Sequence, residues 1–302
     1  VAFKIVTADE RMARQKGLKI VIPGPHGIGK TSLLRSVAPY VPLFLNAEAG
    51  DLAVQDVDVA EIAPDAGHRW SWPELRNVAA VLGGPNDALG SDRCYSRAHY
   101  DAVVGSMPGL DLSGFNLLFV DSVTVITRAC FAWCQTQPDA FSPKTGAPDI
   151  RGAYGLLARE MVAWLEQLQH ARSWHVVLLC LLDPGVDAYG RPSWDLQMDG
   201  KATPTAMLGI VDIIATLNNV MFAEPAPGGV GTVDKPVRCL VTQQGNPYGF
   251  PAKDRSGRLD PIEPPNLGAL IAKASDAKRV RGAMAHAIGD GSPAPLNLQT
   301  AA

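Results

Sequence analysis

Residues 24–31 read Gly-Pro-His-Gly-Ile-Gly-Lys-Thr. They stand between an apolar, β-rich run over 18–23 and a stretch over 31–38 with the pattern of a helix. No other feature limits the fold of this chain as much. The glycines let the backbone wrap with its N–H groups turned inward, and the helix start adds partial positive charge. Such a loop is built to hold an anion of the polyphosphate type. The eight residues fit G-x-x-x-x-G-K-[ST] without a mismatch, in the strand-to-helix context the mechanism requires. Gly24, Pro25, His26, Gly27, Ile28, Gly29, Lys30, Thr31 and Ser32 are therefore the candidate nucleotide-contacting residues. Lys30 is expected on the β- and γ-phosphates and the Thr31 hydroxyl on Mg²⁺, so ATP with Mg²⁺ is the expected ligand.

The rest of the chain repeats the strand-then-helix rhythm. Further strands are predicted over 41–46, 116–120 and 175–182, the last almost uniformly apolar, as strands buried on both faces are. Helices are predicted over 73–82, 96–104, 122–135 and 155–172. This alternation predicts a three-layer α/β fold with a mostly parallel central sheet. Beyond 182 the pattern changes. Two β segments, 211–223 and 237–243, flank a Gly/Pro-rich turn over 225–231 and predict a hairpin added to the sheet. A last helix is expected over 267–287. The expected organisation is an N-terminal segment 1–16, one ATPase-type domain 17–287, and a disordered tail 288–302 rich in Gly, Pro and small residues.

Composition excludes several classes. Of 302 residues, 47% are hydrophobic and 19% charged, the balance of a globular domain. The longest apolar runs, such as 176–182, are too short to cross a bilayer, and 1–14 lacks a secretory pattern. The five cysteines are scattered; Cys130 and Cys134 share a helix face, but no second pair or His completes a zinc set. Reduced thiols and a cytoplasmic setting are expected. A net charge of −3 is not that of a non-specific nucleic-acid binder, so any DNA role must rest on local loops.

Asp121 follows the apolar strand 116–120, where a carboxylate can hold Mg²⁺ through its water shell or cap the helix that begins next to it. Hydrolysis also needs a group to orient and deprotonate water. AAA+ proteins usually place that glutamate directly after the Walker B Asp, but here Ser122 follows Asp121. Glu48, at the end of the strand after the phosphate loop, is the alternative.

Leu45-Asn46-Ala47-Glu48 resembles the segment that carries the catalytic glutamate of RecA-type recombinases, and Phe119-Val120-Asp121-Ser122-Val123 is similar to their Walker B segment. The resemblance implies Glu48 as general base. Lys253-Asp254-Arg255-Ser256-Gly257 resembles the K-x-R-x-G motif of RadA-like and DnaB-like ATPases, whose basic pair reaches a neighbour's γ-phosphate. It implies catalytic roles for Lys253 and Arg255 in a homo-oligomer, ring or filament; a solvated charged turn is the alternative. With Gln137-Pro138-Asp139-Ala140-Phe141-Ser142 and Arg151-Gly152-Ala153-Tyr154-Gly155, the motif set looks like the phage-encoded RecA-like nucleotide-binding proteins, from Leu18 to Ala274. Some of that group are single-strand annealing or recombination ATPases. One departure stands out: RecA-type proteins carry a Gln just after the fourth core strand, whereas 181–184 reads Leu-Leu-Asp-Pro, leaving Asp183 as a substitute.

In such a core the segments 137–154 and 183–207 would face single-stranded DNA. Both read as long, irregular loops. They offer Lys144, Arg151, Arg191 and Lys201 for phosphates, and Tyr189 and Trp194 for stacking, although the second carries more acidic than basic residues. Lids without DNA contact are the bland alternative. The expected function is a Mg²⁺-dependent ATPase acting on single-stranded DNA in phage recombination or annealing, with a single-strand-binding protein as a further partner class and no membrane. The rivals are a DNA motor or helicase-loader ATPase and a nucleotide-gated interaction protein with little turnover.

Overall fold

The computed structural model describes residues 4–14, 16–64, 67, 69–225 and 232–276. Its strands in chain order are β1 (Lys19–Pro23), β2 (Pro42–Asn46), β3 (Ala60–Ile62), β4 (Leu117–Asp121), β5 (His175–Cys180), β6 (Leu182–Val186), β7 (Pro192–Leu196), β8 (Ile213–Ile214), β9 (Thr216–Pro225), β10 (Thr232–Val241), β11 (Lys253–Asp254) and β12 (Ile262–Glu263). The helices are α1 (Ala8–Ala13), α2 (Trp72–Gly83), α3 (Arg97–Gly105), α4 (Val123–Cys134), α5 (Ile150–His170), α6 (Ala202–Ile210) and α7 (Leu267–Ser275).

Seven strands form the central sheet in the order β11-β8-β1-β5-β4-β2-β3. All neighbours run parallel except β11, which is antiparallel to β8. The strand carrying Asp121 is thus separated from the strand feeding the phosphate loop by one strand, β5. Side chains alternate across the sheet. Ile20, Ile22, Phe44, Phe119, Val177 and Leu179 pack against Leu33, Leu34 and α7. Val21, Leu45, Val120 and Leu178 pack against α2, α4 and α5 through Leu75, Ile126 and Trp164. The three predicted layers are present, and burial on both faces explains the uniformly apolar strands.

The helices begin where the sequence supplies caps. Ser71 and Glu74 form a capping box at α2, Ser96 caps α3, and Asp149 accepts from the backbone of Arg151 and Gly152 at α5. That Asp149 cap starts α5 at Ile150, five residues ahead of the predicted 155.

Several expectations need correction. The helix expected over 31–38 is a six-residue 3₁₀ helix, Thr31–Ser36. Pro39 cannot donate a helical hydrogen bond and pushes Ala38 out of helical geometry, which leaves little room to propagate. Segment 183–207 is not irregular: β6 and β7 pair as an antiparallel ribbon, and α6 follows. The 211–243 hairpin exists as β9 and β10, but it forms its own antiparallel sheet with β12 rather than extending the central one. The turn over 226–231, the extension of the last helix towards 287 and the tail 288–302 lie outside the described residues. Of segment 1–16, the described part holds α1, capped by Thr7 and Glu10.

The base of β1 is unusually tight. A Cβ on Gly17 would lie 1.9 Å from the Trp174 carbonyl oxygen, so only glycine fits there. Beside it, His175 Nδ1 accepts the Leu18 N–H at 3.1 Å, which requires the neutral ring. Burial first, and then the Lys19 ammonium, push the His175 imidazole down to about 4. Between that value and the usual 6.5 the unfolded chain takes up a proton that the fold refuses, so stability is complete above 6.5 and falls as pH drops. Discounted for partial exposure, the expected loss is on the order of 1 kcal/mol by pH 5. Urea midpoints at pH 7 and pH 5 should separate more in the wild type than in His175→Asn; equal losses would exclude the imidazole.

Candidate nucleotide site

The phosphate loop leaves β1 where Pro23 pairs with Cys180, and the Gly24 N–H donates to the Cys180 carbonyl at 3.1 Å. Gly27 and Gly29 have φ of +72° and +91°, a region that side-chain-bearing residues rarely adopt. Pro25 and Ile28 are half-buried, while His26 and Gly27 are exposed at the tip. Lys30, only 9% exposed, folds back across the loop so that Nζ donates to the Gly24 and Pro25 carbonyls at 2.9 and 2.8 Å. Burial lowers its pKa, and the charges of Asp121 and Glu48 oppose that shift. An ammonium held over glycine-loop backbone in this way is ready to exchange carbonyls for phosphate oxygens.

Thr31 and Asp121 meet directly. The Thr31 hydroxyl donates to Asp121 Oδ2 at 2.5 Å. Asp121 is 2% exposed at the end of β4, and its carboxyl is pushed up to about 6. Burial is the main cause; the Thr31 hydrogen bond opposes it, Glu48 adds to it and Lys30 opposes it. A buried carboxylate paired with a neutral hydroxyl is a donor set that a hard cation suits, so Thr31 and Asp121 fit Mg²⁺.

Glu48 is brought to the same place by backbone. Asn46 pairs with Asp121 in the sheet, and the N–H groups of Ala47 and Glu48 both donate to the Asp121 carbonyl, at 2.6 and 3.1 Å. The Ser122 hydroxyl donates to the Glu48 carboxylate. Ala49 turns the chain away at φ 55°, a strained value for a non-glycine residue. Glu48 is exposed, so one carboxylate faces solvent beside a buried one that suits a metal. Ser122, which fills the position of the AAA+ glutamate, instead holds Glu48.

Lys253 and Arg255 are elsewhere. Lys253 Nζ donates to the carbonyls of Leu208, Gly209 and Val211 at 2.6, 3.2 and 2.8 Å, and Arg255 donates to Gly209 and pairs with Asp212. Asp212 in turn accepts the N–H of Lys19, at the end of β1 opposite the phosphate loop. Within this chain the two cations cap the C-terminal carbonyls of α6 and do not approach the chain's own phosphate loop.

The four basic residues suggested for DNA are dispersed. Lys144 and Arg151 are exposed around the start of α5. Arg191 is bound to Asp187 in the ribbon turn and lies over the Tyr189 ring at 5.1 Å. Lys201 alone of the four lines a cleft of about 1020 Å³, together with Tyr154, Trp194, Met198 and Pro251.

Three further residues escaped the sequence reading. Ser122, through its bond to Glu48, is the first. Gln197, just past the end of β7, donates to Asp183 at 2.8 Å and ties the two ends of the ribbon together. Arg238 on β10 donates to the Ile28 carbonyl of the phosphate loop at 3.3 Å. Neither Gln197 nor Arg238 belongs to a local motif. Among the described residues no cluster of three metal-ligating side chains occurs, and no helix is long and apolar enough to cross a membrane. All five cysteines are free, with the Cys130 and Cys134 sulfurs 4.0 Å apart on α4.

A glycine loop after β1, a buried Asp121 on a strand once removed, and a Thr31 hydroxyl between them define a P-loop nucleotide-binding domain. The profile of the AAA domain family matches residues 16–256, which takes in the sheet and the whole phosphate site, and the chain belongs to this family. AAA ATPases typically bind ATP with Mg²⁺. No curated protein matches the chain. A solved structure described as a prototypical ATPase from the type III secretion system of pathogenic bacteria is similar at 15% identity and a TM-score of 0.35, covering 67% of this chain and 51% of that one. The chain thus spans about half the length of that structure.

Proposed function

We propose that this AAA-family chain is a Mg²⁺-dependent ATPase that acts on single-stranded DNA as an oligomer, in phage recombination or strand annealing. Glu48 takes the proton of the attacking water as it bonds to the γ-phosphorus and the bond to the β-bridging oxygen breaks, giving ADP and phosphate. Lys30 would hold the β- and γ-phosphates, and Thr31 and Asp121 would hold the metal. When bound, Mg²⁺ supplies positive charge that offsets the charge developing on the transferred group.

The observation that carries the DNA reading is the route from phosphate loop to cleft. The Gly24 N–H is bonded to the Cys180 carbonyl, and two residues further on the chain enters the β6–β7 ribbon. That ribbon contributes Trp194 to the cleft beside Tyr154 and Lys201. Aromatic faces next to a cation suit unstacked bases on a phosphate backbone. A change in the loop on ATP binding therefore has a short path to the surface that would hold DNA. In an oligomer, Arg255, whose side chain is 45% exposed, would have to leave Gly209 and Asp212 to reach a neighbour's phosphates, whereas Lys253 is more deeply committed to α6.

Oligothymidine should stimulate ATP turnover and bind with a negative salt slope. Trp194→Ala should weaken that binding about tenfold, within the usual worth of one stacked base. An ATPase rate unchanged by DNA, with no binding at low salt, would sink this reading and favour a nucleotide-gated protein interaction. Directional unwinding in place of annealing would favour the motor.

A further inference from the structure

We propose that Arg238 is a phosphate-binding residue supplied in cis by the β9–β10 hairpin, on the α-phosphate side of the nucleotide. This rests on the reading of residues 24–31 as the ATP site, and it gives the separate hairpin sheet a part in that site.

The base of the hairpin closes on the loop from two directions. A Cβ on Gly24 would lie 2.7 Å from the Leu217 carbonyl oxygen on β9, and a Cβ on Gly29 would lie 2.5 Å from a guanidinium nitrogen of Arg238 on β10. Glycine at 29 therefore makes room for the Arg238 guanidinium as well as for the +91° φ of the turn. After that guanidinium, the next atom near the Gly29 position is the Ser32 hydroxyl, at 3.9 Å. Lys30 would serve the β- and γ-phosphates and Thr31 the metal, which leaves the Ser32 hydroxyl, beside Arg238, for the remaining α-phosphate.

Arg238 is exposed, and its hydrogen bond is to a neutral carbonyl, that of Ile28, at a long 3.3 Å. Among the described residues no carboxylate forms an ion pair with it. Arg35, Arg97, Arg191 and Arg255 all have such partners. A guanidinium fork beside a phosphate loop, held by one weak neutral acceptor, gains far more from phosphate oxygens than it loses by leaving the carbonyl. Because Arg238 pairs with Asn219 across the hairpin, its capture by the nucleotide also restrains β9 and β10.

The test measures binding of fluorescent ATP and ADP analogues to the full chain, with Lys30→Ala as the control for the loop. Arg238→Gln keeps a donor for Ile28 but loses the charge. It should weaken both nucleotides by about tenfold, with Arg238→Lys in between. Without nucleotide its thermal midpoint should match the wild type, and hydrogen exchange in β9 and β10 should slow on adding ATP in the wild type but not in Arg238→Gln. Unchanged affinity in Arg238→Gln, with binding lost in Lys30→Ala, overturns the proposal and leaves the loop reading intact. A loss confined to ATP overturns the α-side placement. Normal binding by Lys30→Ala removes the ATP site and this proposal with it.

Discussion

Glu48→Gln should slow ATP turnover by roughly 10²- to 10⁴-fold while leaving ATP affinity within about twofold of wild type. The amide is nearly isosteric and can still accept from Ser122, so the geometry around Asp121 is kept and only the basic lone pair is lost. Two backbone bonds to the Asp121 carbonyl hold the residue beside the buried carboxylate that suits the metal, and its side chain is open to water. Single-turnover hydrolysis beside equilibrium binding measures both quantities, and a normal rate would remove Glu48 from the role of base. Ser122→Ala should have a smaller effect of the same kind, since it frees the carboxylate to rotate without removing it. Family membership alone leads to the position after Asp121, where this chain has a hydroxyl; the proposed base lies instead two residues past the end of β2, the strand next to β4.

How far the sequence reaches follows from how local each signal is. Residues 24–31 and Asp121 are legible because a phosphate loop and a strand-end carboxylate are each written in a few consecutive residues. Glu48 is legible because strand ends at one edge of a parallel sheet converge, and the pairing of Asn46 with Asp121 delivers that convergence. The pairing of Lys253 and Arg255 with α6 is not. A two-residue antiparallel strand at the sheet edge sets where they point, and nothing near 253 in sequence announces Leu208 or Asp212. Arg238 stands 210 positions from Ile28 and meets it only because the hairpin folds back over the loop. The ribbon read as loop because Pro184, Gly185 and Pro192 look like breakers, yet both strands of a two-stranded ribbon are edge strands, which tolerate a missing donor even at the mid-strand Pro184.

The largest expected effect on stability comes from the other end of β1. Lys19 opens that strand and is 4% exposed, with Nζ donating to the carbonyls of Gly17, Ala171 and Trp174 at 3.0, 2.9 and 2.8 Å. Burial pushes its ammonium down to about 8, against the pull of Asp212. The cation joins three segments: the approach to β1, the end of α5 and the approach to β5. Lys19→Met fills much of the volume but leaves three carbonyls without a donor and Asp212 with one cation fewer nearby. The expected loss is about 3–5 kcal/mol, in line with breaking a buried charged network from one side. Urea unfolding measures it, and a loss below about 1 kcal/mol would show that water replaces the ammonium at no great cost. The folded fraction should still bind ATP with wild-type affinity. Four residues of strand and a phosphate loop anchored separately to Cys180 lie between this network and the nucleotide, so a substitution here should act on how much of the protein is folded and leave the site itself intact.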